Sequence, residues 1–223
     1  MPEILAPVPM LDVPVIATLR RIRRLTQREM LFDVELSGGV SLGHKPGQFV
    51  MVSVFGSGEA PISISSPPNP GSPSFQLCVR DAGTLTHHLH SLPEGSRVGI
   101  RGPFGNGFPV EEMEGNDVLF VAGGLGLAPL RSLIRHALER KSRFGRITIL
   151  FGARNPSERL FREELEEYRN DEAIRFLETV DVGDETWTGR VGVITTLLKG
   201  LEIRPRHTVA AICGPPVMYK FVV

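Results

Sequence analysis

Cysteine is nearly absent: there are two in 223 residues, Cys78 and Cys213, 135 positions apart. Two thiols so placed build neither a disulfide framework nor a cysteine-ligated metal site, which fits a reducing, cytoplasmic setting. An excess of one charge is lacking as well, with 25 Lys and Arg against 25 Asp and Glu. Residues 1–109 hold 9 basic and 8 acidic side chains and the remainder 16 and 17, so neither half carries the basic field that nucleic acid demands. No apolar run approaches the roughly 20 residues of a membrane-spanning helix. The opening residues, MPEILAPVPMLDVP, show no basic stretch ahead of an apolar core, so no signal peptide is expected.

What is present is unevenly placed. Thirteen of the 18 prolines lie in residues 1–109, whereas the 24 glycines divide 13 to 11. Proline removes a backbone donor and clashes inside a helix, so the first half cannot be helical. An all-helical chain is excluded. Two domains are expected, residues 1–111 and 112–223, each close to the usual size of about 100–150 residues.

The first domain reads as short strands and turns. Met30, Phe32, Val34 and Leu36 alternate with Leu31, Asp33 and Glu35, the period of a half-buried strand. Residues 48–54, the alternating Phe75, Leu77 and Val79, and residues 97–101 read as further strands. Turns stand at Lys45-Pro46-Gly47, Asp81-Ala82-Gly83 and Pro93-Glu94-Gly95, and residues 84–92 are the one helical interruption. This spacing predicts an antiparallel β-barrel. The second domain differs. Residues 118–122 and 147–151 are wholly apolar, as in parallel strands covered on both faces, and residues 174–180 and 208–212 add two more. Helices predicted over 128–140, 157–169 and 193–199 alternate with them, the grammar of an α/β doubly wound parallel sheet. Gly214-Pro215-Pro216 reads as a further helix start, and the chain stops within about two turns of it. A missing C-terminal segment, or cover by a partner subunit, is expected there.

Four segments carry chemistry. Gly123-Gly124-Leu125-Gly126-Leu127-Ala128-Pro129 joins a buried strand to a helix, where glycines let phosphates approach the backbone and the helix start supplies free N–H groups. A plain tight turn is the alternative. Cys213-Gly214-Pro215 ends the last strand, and open α/β sheets bind ligands outside the carboxyl ends of their strands, so both motifs should border one crevice. Pro61-Ile62-Ser63-Ile64 offers amides and a hydroxyl to a flat heterocycle, or is a polar strand edge. Val79-Arg80 followed by Gly83-Thr84-Leu85-Thr86 puts a cation and two hydroxyls at a helix start, read either as an anion site or as N-capping by Thr84. Three other features read as solvated surface. His87, His88 and His90 have no carboxylate or cysteine at ligand spacing, Arg20 to Arg24 reads as a strand edge, and residues 163–167 as the wet face of a helix.

Taken in order, Pro46-Gly47-Gln48-Phe49, Pro61-Ile62-Ser63-Ile64, Gly83-Thr84-Leu85-Thr86, Gly102-Pro103-Phe104-Gly105, the segment from Gly123 to Pro129 and Cys213-Gly214-Pro215-Pro216 resemble the ferredoxin–NADP reductase superfamily over residues 12–220. Within it the chain is most similar to hydrogenase or sulfhydrogenase gamma subunits and to dihydroorotate dehydrogenase electron-transfer subunits. The resemblance implies an FAD-binding barrel followed by an NAD(P)-binding domain, with NAD(P)H as substrate. It implies that Pro61, Ile62, Ser63 and Ile64 line the isoalloxazine with Ser63 near N5, and that Val79, Arg80, Gly83, Thr84, Leu85 and Thr86 hold the pyrophosphate. It further implies that Gly123, Gly124, Gly126, Leu127, Ala128 and Pro129 hold the dinucleotide phosphates. Cys213, Gly214 and Pro215 would face the nicotinamide, and Arg154 the adenosine end. Ser63 and Cys213 are thus the catalytic candidates, and no metal site is expected. Arg154 and Arg159 are equally consistent with a 2′-phosphate or with solvent, leaving NADH and NADPH both open.

Two departures from the pattern matter. Ala60 and Ile62 stand where the family has Arg and an aromatic residue, removing a charge-assisted hydrogen bond worth roughly 1.5–3 kcal/mol unless Arg80 compensates. Relatives also carry a four-cysteine iron–sulfur site after this point, which two cysteines cannot ligate. The expected activity is therefore electron transfer from NAD(P)H through FAD to an iron–sulfur partner subunit. The alternatives are a free-standing reductase for ferredoxin, flavin or an oxygenase, and a non-catalytic module that has lost FAD.

Overall fold

The alternating and continuous apolar runs each found a sheet. In this computed structural model residues 10–222 are described; most of the stretch read above for a leader lies outside them. Residues 10–24 and 28–108 form one compact unit, and residues 109–222 are the body of a second.

In the first unit, β1 (Met10–Arg24), β2 (Glu29–Leu36), β3 (Phe49–Val54), β4 (Gly58–Ser63), β5 (Ser74–Arg80) and β6 (Arg97–Phe104) form one antiparallel sheet in the order β4-β3-β6-β1-β2-β5. Its outer strands meet where Ile64 bridges Leu77 and the Ser65 amide donates to the Gln76 carbonyl at 2.8 Å, so the sheet curls into a barrel. Met30, Phe32, Val34 and Leu36 all point into that barrel with Val50, Ile64, Val98 and Ile100. Each such burial stabilises by roughly 1.5–3 kcal/mol. Helix α1 (Thr84–Ser91) joins β5 to β6 and lays Leu85 and Leu89 on the same core. The Gly102–Pro103 peptide in β6 is cis.

The second unit holds α2 (Val110–Met113), β7 (Asp117–Gly123), α3 (Leu127–Leu138), β8 (Ile147–Ala153), α4 (Arg162–Asn170), β9 (Ile174–Val180), β10 (Arg190–Val191), β11 (Thr208–Cys213) and α5 (Pro216–Val222). The strands are all parallel, in the order β10-β9-β8-β7-β11. Every residue of β7 is buried, which is why its sequence shows no alternation. The expected barrel and doubly wound sheet are both found.

Three local expectations are corrected. The arginines from Arg20 to Arg24 belong to β1, which is not an edge: it runs between β6 and β2. Sheet pairing uses the backbone, so Ala17 and Leu19 enter the core while Arg20 stays exposed and pairs with Glu35 at 2.7 Å. The helix expected at 193–199 is a 3-10 turn, Ile194–Leu198; β-branched Ile194, Thr195 and Thr196 lose side-chain freedom in an α-helix, and the Thr196 hydroxyl instead donates to the Val193 carbonyl at 2.8 Å. The helix expected over 157–169 is broken at Phe161, whose φ is 51°, into a 3-10 turn, Pro156–Glu158, and α4.

That break is held from below by Arg131. Its side chain, on α3, is 2% exposed, bonds Glu164 of α4 through Nε and Nη2 at 2.6 to 3.0 Å, and lies 4.7 Å from the Phe161 ring centre. Glu164 is therefore an ion-pair partner and not part of a wet helix face. Arg131→Ala would strand the partly buried Glu164 carboxylate, at an expected cost of about 3 kcal/mol. Urea unfolding measures it, and a loss below about 1 kcal/mol would show that the pair does not hold this segment.

Candidate cofactor sites

In the second unit the chain leaves β7 toward β8 and returns at the end to β11, on the other side of β7. The strand order therefore reverses between β7 and β11, and a crevice at their carboxyl ends is the general ligand position of such sheets. Ala122 and Cys213 are in register, so the turns after them emerge side by side. A Cβ on Gly126 would overlap the Cys213 carbonyl and lie 2.7 Å from the Gly214 nitrogen, and one on Gly123 would lie 2.7 Å from the Met218 sulfur. Gly126 is required by the approach of the backbone to itself, and Gly123 leaves room for Met218. Gly124 is different: its φ is 53°, and a Cβ there would meet nothing within 4 Å. Of the three glycines from Gly123 to Gly126, it is the one that is open in this way, just ahead of the α3 start. Leu127 and Ala128 are buried side chains of α3, so only their backbone is available to a ligand, while Pro129 is half-buried.

Cys213 is half-buried, with Gly214 half-buried and Pro215 exposed beside it. Burial pushes its thiol up, so it stays protonated at neutral pH. The Tyr219 hydroxyl, which donates to the Ile212 carbonyl at 3.2 Å, lies against that end of β11. At the carboxyl end of β8 the two arginines part company. Arg154 is exposed, whereas Arg159 turns onto Glu178 of β9 at 2.8 and 3.0 Å and lies 5.1 Å from the centre of the Trp187 ring.

In the first unit, β4 puts Pro61 and Ser63 on its outer face and packs Ala60 and Ile62 toward the core, with Ile64 wholly buried beyond it. Ile62 and Ile64 thus offer a ligand backbone alone. The Ser63 hydroxyl has no partner among the described residues. Across the sheet from Ser63 stand Phe49 and then Phe104, their ring centres 5.6 Å apart, and across from Pro61 stand Met51 and Arg101. Arg101 is forked onto Glu59 at 2.6 and 2.9 Å. Two phenylalanines therefore lie beside Ser63 on the same face of the sheet. Register, which one sequence does not reveal, is what finds them.

Val79 is a core side chain whose carbonyl accepts from His90 Nε2 at 3.0 Å. Arg80 is ion-paired with Glu29, a carboxylate 2% exposed at the start of β2. The alternative of N-capping by Thr84 is overturned: Gly83 is the N-cap, Thr84 is the first helical residue, and the Thr86 hydroxyl accepts from the Ala82 and Gly83 amides at 2.9 Å. Gly83 has no side chain to cap with, and the hydroxyl at this turn comes from Thr86 instead. No side chain caps the first-turn amides of Thr84, Leu85 and Thr86, and a Cβ on Gly83 would meet nothing within 4 Å. Such a helix start accepts an anion, so this chain's residues fit the pyrophosphate of a flavin dinucleotide. Leu85 is itself a core side chain. The reading that no carboxylate approaches the histidines is also corrected: Asp81 meets His87 Nδ1 at 3.1 Å, since the turn before α1 folds back over it. His88 meets Ser57 instead, and His90 faces Val79, so the three imidazoles diverge. Among the described residues no three His, Cys, Asp or Glu side chains gather to hold a metal ion.

Residues 17–108 match the oxidoreductase FAD-binding domain family and residues 120–223 the oxidoreductase NAD-binding domain family. The chain is 42% identical over 211 residues to sulfhydrogenase 1 subunit gamma of Pyrococcus furiosus, covering 91% of this chain and 70% of that one. It is 35% identical over 217 residues to a probable dihydroorotate dehydrogenase B (NAD(+)) electron transfer subunit of Methanothermobacter thermautotrophicus, covering 94% and 72%. The fold is similar to that of the FAD/NAD-binding domain of a Vibrio cholerae nitric oxide dioxygenase, with a TM-score of 0.82, 18% identity, and 95% and 91% of the two chains covered.

The glycines give a paired test. Gly126→Ala is expected to push the β7 and β11 turns apart, lowering stability by more than about 2 kcal/mol and abolishing nucleotide binding. Gly83→Ala, in open space and in an extended conformation, is expected to leave stability within about 0.5 kcal/mol. Thermal unfolding of both variants reads the contrast, and equal losses would remove the distinction between a packing glycine and a ligand-facing one.

Proposed function

From a chain that belongs to the ferredoxin–NADP reductase superfamily, the oxidoreductases that join an FAD-binding to an NAD-binding domain, we propose an electron-transfer subunit that hands electrons to an iron–sulfur partner protein. The chain is an FAD- and NAD(P)H-dependent oxidoreductase module, and the sulfhydrogenase gamma subunit and probable dihydroorotate dehydrogenase B electron transfer subunit it resembles are both subunits. The observation that carries the reading is the start of α1, whose first-turn amides no side chain caps, in a unit where Ser63 faces outward with no partner among the described residues, together with a glycine-lined switch point in the parallel sheet. When bound, FAD supplies the ability to take two electrons as hydride and release them one at a time.

What this chain contributes is placement. The first-turn amides of Thr84, Leu85 and Thr86 would hold the flavin pyrophosphate, and Gly83 would leave it room. Arg80, held in place by Glu29, stands at the end of β5 as a fixed cation nearby. Ser63 would donate a hydrogen bond to the flavin ring, and Phe49 and Phe104 stand beside it on the same face of the barrel. In the second unit Gly124 and the α3 start receive the dinucleotide phosphates. Neutral Cys213 and Gly214 form an uncharged wall for the nicotinamide. The working domains are residues 1–111 and 112–223, and the module acts in the cytoplasm. No helix among the described residues is long and apolar enough to cross a membrane.

Anaerobic titration of the purified, FAD-loaded protein with NADH and NADPH tests the reading: the flavin absorbance bleaches on addition of the nucleotide. A protein that takes up no FAD would overturn it. Ser63→Ala is expected to slow flavin reduction about tenfold or more with little change in nucleotide affinity, which stopped-flow reduction at several nucleotide concentrations separates. An unchanged reduction rate would remove Ser63 from the role. Co-purification with an iron–sulfur subunit distinguishes the complex from a free-standing reductase.

A further inference from the structure

The amino end of the parallel sheet, opposite the crevice at Gly124 and Cys213, carries a charged recess that the cofactor sites do not use. It opens where β7, β8, β9 and β11 begin, and its volume is about 20 Å³, room for one or two water-sized groups. Thr148, the second residue of β8, stands in register with Leu119 of β7 and Arg175 of β9, so the three side chains share one face of the sheet. Leu119 belongs to the core of that face. Thr148 is 8% exposed and lines the recess, and its hydroxyl has no partner among the described residues. A hydroxyl so placed can donate one hydrogen bond to whatever enters. Arg146 and Arg175, both exposed, line the recess beside it, and half-buried Leu201 and exposed Ile203 complete its apolar wall.

The charges at this end do not cancel. Asp117, also in the lining, is neutralised by Arg204, which forks onto it at 2.6 and 2.9 Å, and it accepts the Arg146 amide at 2.7 Å. Glu114 pairs with Arg143 at 3.0 Å, and Asp171 pairs with Lys141. With these pairs set aside, Arg146, Arg175, Lys199 and Arg206 stand exposed against Glu172 and Glu202. Lys199 precedes Gly200, whose carbonyl accepts from Arg175 Nη2 at 3.5 Å. Arg206 lies in the 3-10 turn Pro205–His207, directly before Thr208, which also lines the recess. Arg146 Nη1 donates to the Glu202 carbonyl at 3.3 Å. Both lining guanidiniums thus keep further donors for a ligand.

We propose that the amino end of this sheet is a docking surface for an acidic segment of a partner protein: one carboxylate enters the recess and accepts from Thr148, and its neighbours meet Arg146 and Arg175. Size selects the occupant. A recess of this volume takes the tip of one carboxylate and cannot enclose a phosphorylated metabolite. The unmatched cations belong to the starts of β8 and β9 and to the loop before β11, so an extended chain reaches several of them at once where a small anion reaches one or two. Charge complementarity of this kind steers encounter and suppresses wrong partners. The surface lies at the far end of the sheet from Gly124 and Cys213, so a docked segment leaves the dinucleotide position open.

Calorimetric titration of the full-length, FAD-loaded protein with a capped hexaglutamate peptide tests it, with glutarate and inorganic phosphate as small-anion arms. The peptide is expected to bind at least tenfold tighter than either small anion, and to weaken between about 50 and 500 mM salt as the Debye length falls from about 14 to 4 Å. Arg146→Gln and Arg175→Gln are each expected to weaken the peptide about threefold or more, and Thr148→Val, which keeps the side chain's shape, to do the same. Arg143→Gln, at a cation already paired with Glu114, is expected to leave the affinity within about twofold. Saturating NAD+ is expected to change nothing. Phosphate or glutarate binding as tightly as the peptide would make the recess a small-anion site and overturn the docking surface. Equal losses in Arg143→Gln and the lining variants would reduce the effect to diffuse charge, and an unchanged affinity in Thr148→Val would take the recess out of the contact. Competition by NAD+, or no binding of the peptide at all, would equally overturn the proposal.

Discussion

The turn that leaves β7 and the turn that leaves β11 occupy one space, and hydrogen atoms in place of side chains are what allow it. Ala122 and Cys213 lie in register on neighbouring parallel strands, so their successors emerge together. Gly126 passes against the Cys213 carbonyl, Gly123 against Met218, and Gly214 against Gly123 and Met218. A side chain at Gly126 would force the two strand ends apart, and one at Gly123 or Gly214 would displace Met218. The start of α3, the half-burial of Cys213 and the opening at Gly124 all follow from this contact. A glycine-rich loop of this kind is usually explained by the ligand it admits. Here two of its three glycines answer to the protein's own packing.

A second regularity is electrostatic. Three arginines near the candidate sites are held by carboxylates: Arg80 by Glu29, Arg101 by Glu59 and Arg159 by Glu178. Such pairs add little net stability where water reaches them, but they fix long side chains in one direction. What remains to meet a phosphate is largely backbone: the uncapped amides of α1 and the start of α3. Backbone amides bring no net charge of their own, which agrees with a chain whose 25 basic and 25 acidic groups cancel.

Legibility in the sequence followed the strength of the local signal. Residues 118–122 and 147–151 were legible as strands because a central parallel strand must be apolar on both faces. The barrel strands showed themselves by alternation. The position of β1 did not, because its arginines sit on the outer face while the pairing that makes it interior is carried by backbone groups identical in every residue. Phe161 was illegible for a related reason. Nothing near it in the sequence announces a left-handed residue, and its conformation is set by a guanidinium 30 positions earlier on another helix.

The sequence by itself determined the two sheet types, the order of the glycine, proline and serine segments, and the family to which they belong. These depend on residue type and short spacing, which a linear text carries in full. Only the tertiary structure decided which glycines serve packing, that Gly83 and Thr86 rather than Thr84 shape the start of α1, and that Phe49 and Phe104 flank Ser63. It also decided that Arg159 is spent on Glu178 while Arg154 stays exposed. Each of these depends on register and on which strands become neighbours, and those are properties of the folded sheet that no local run of residues encodes.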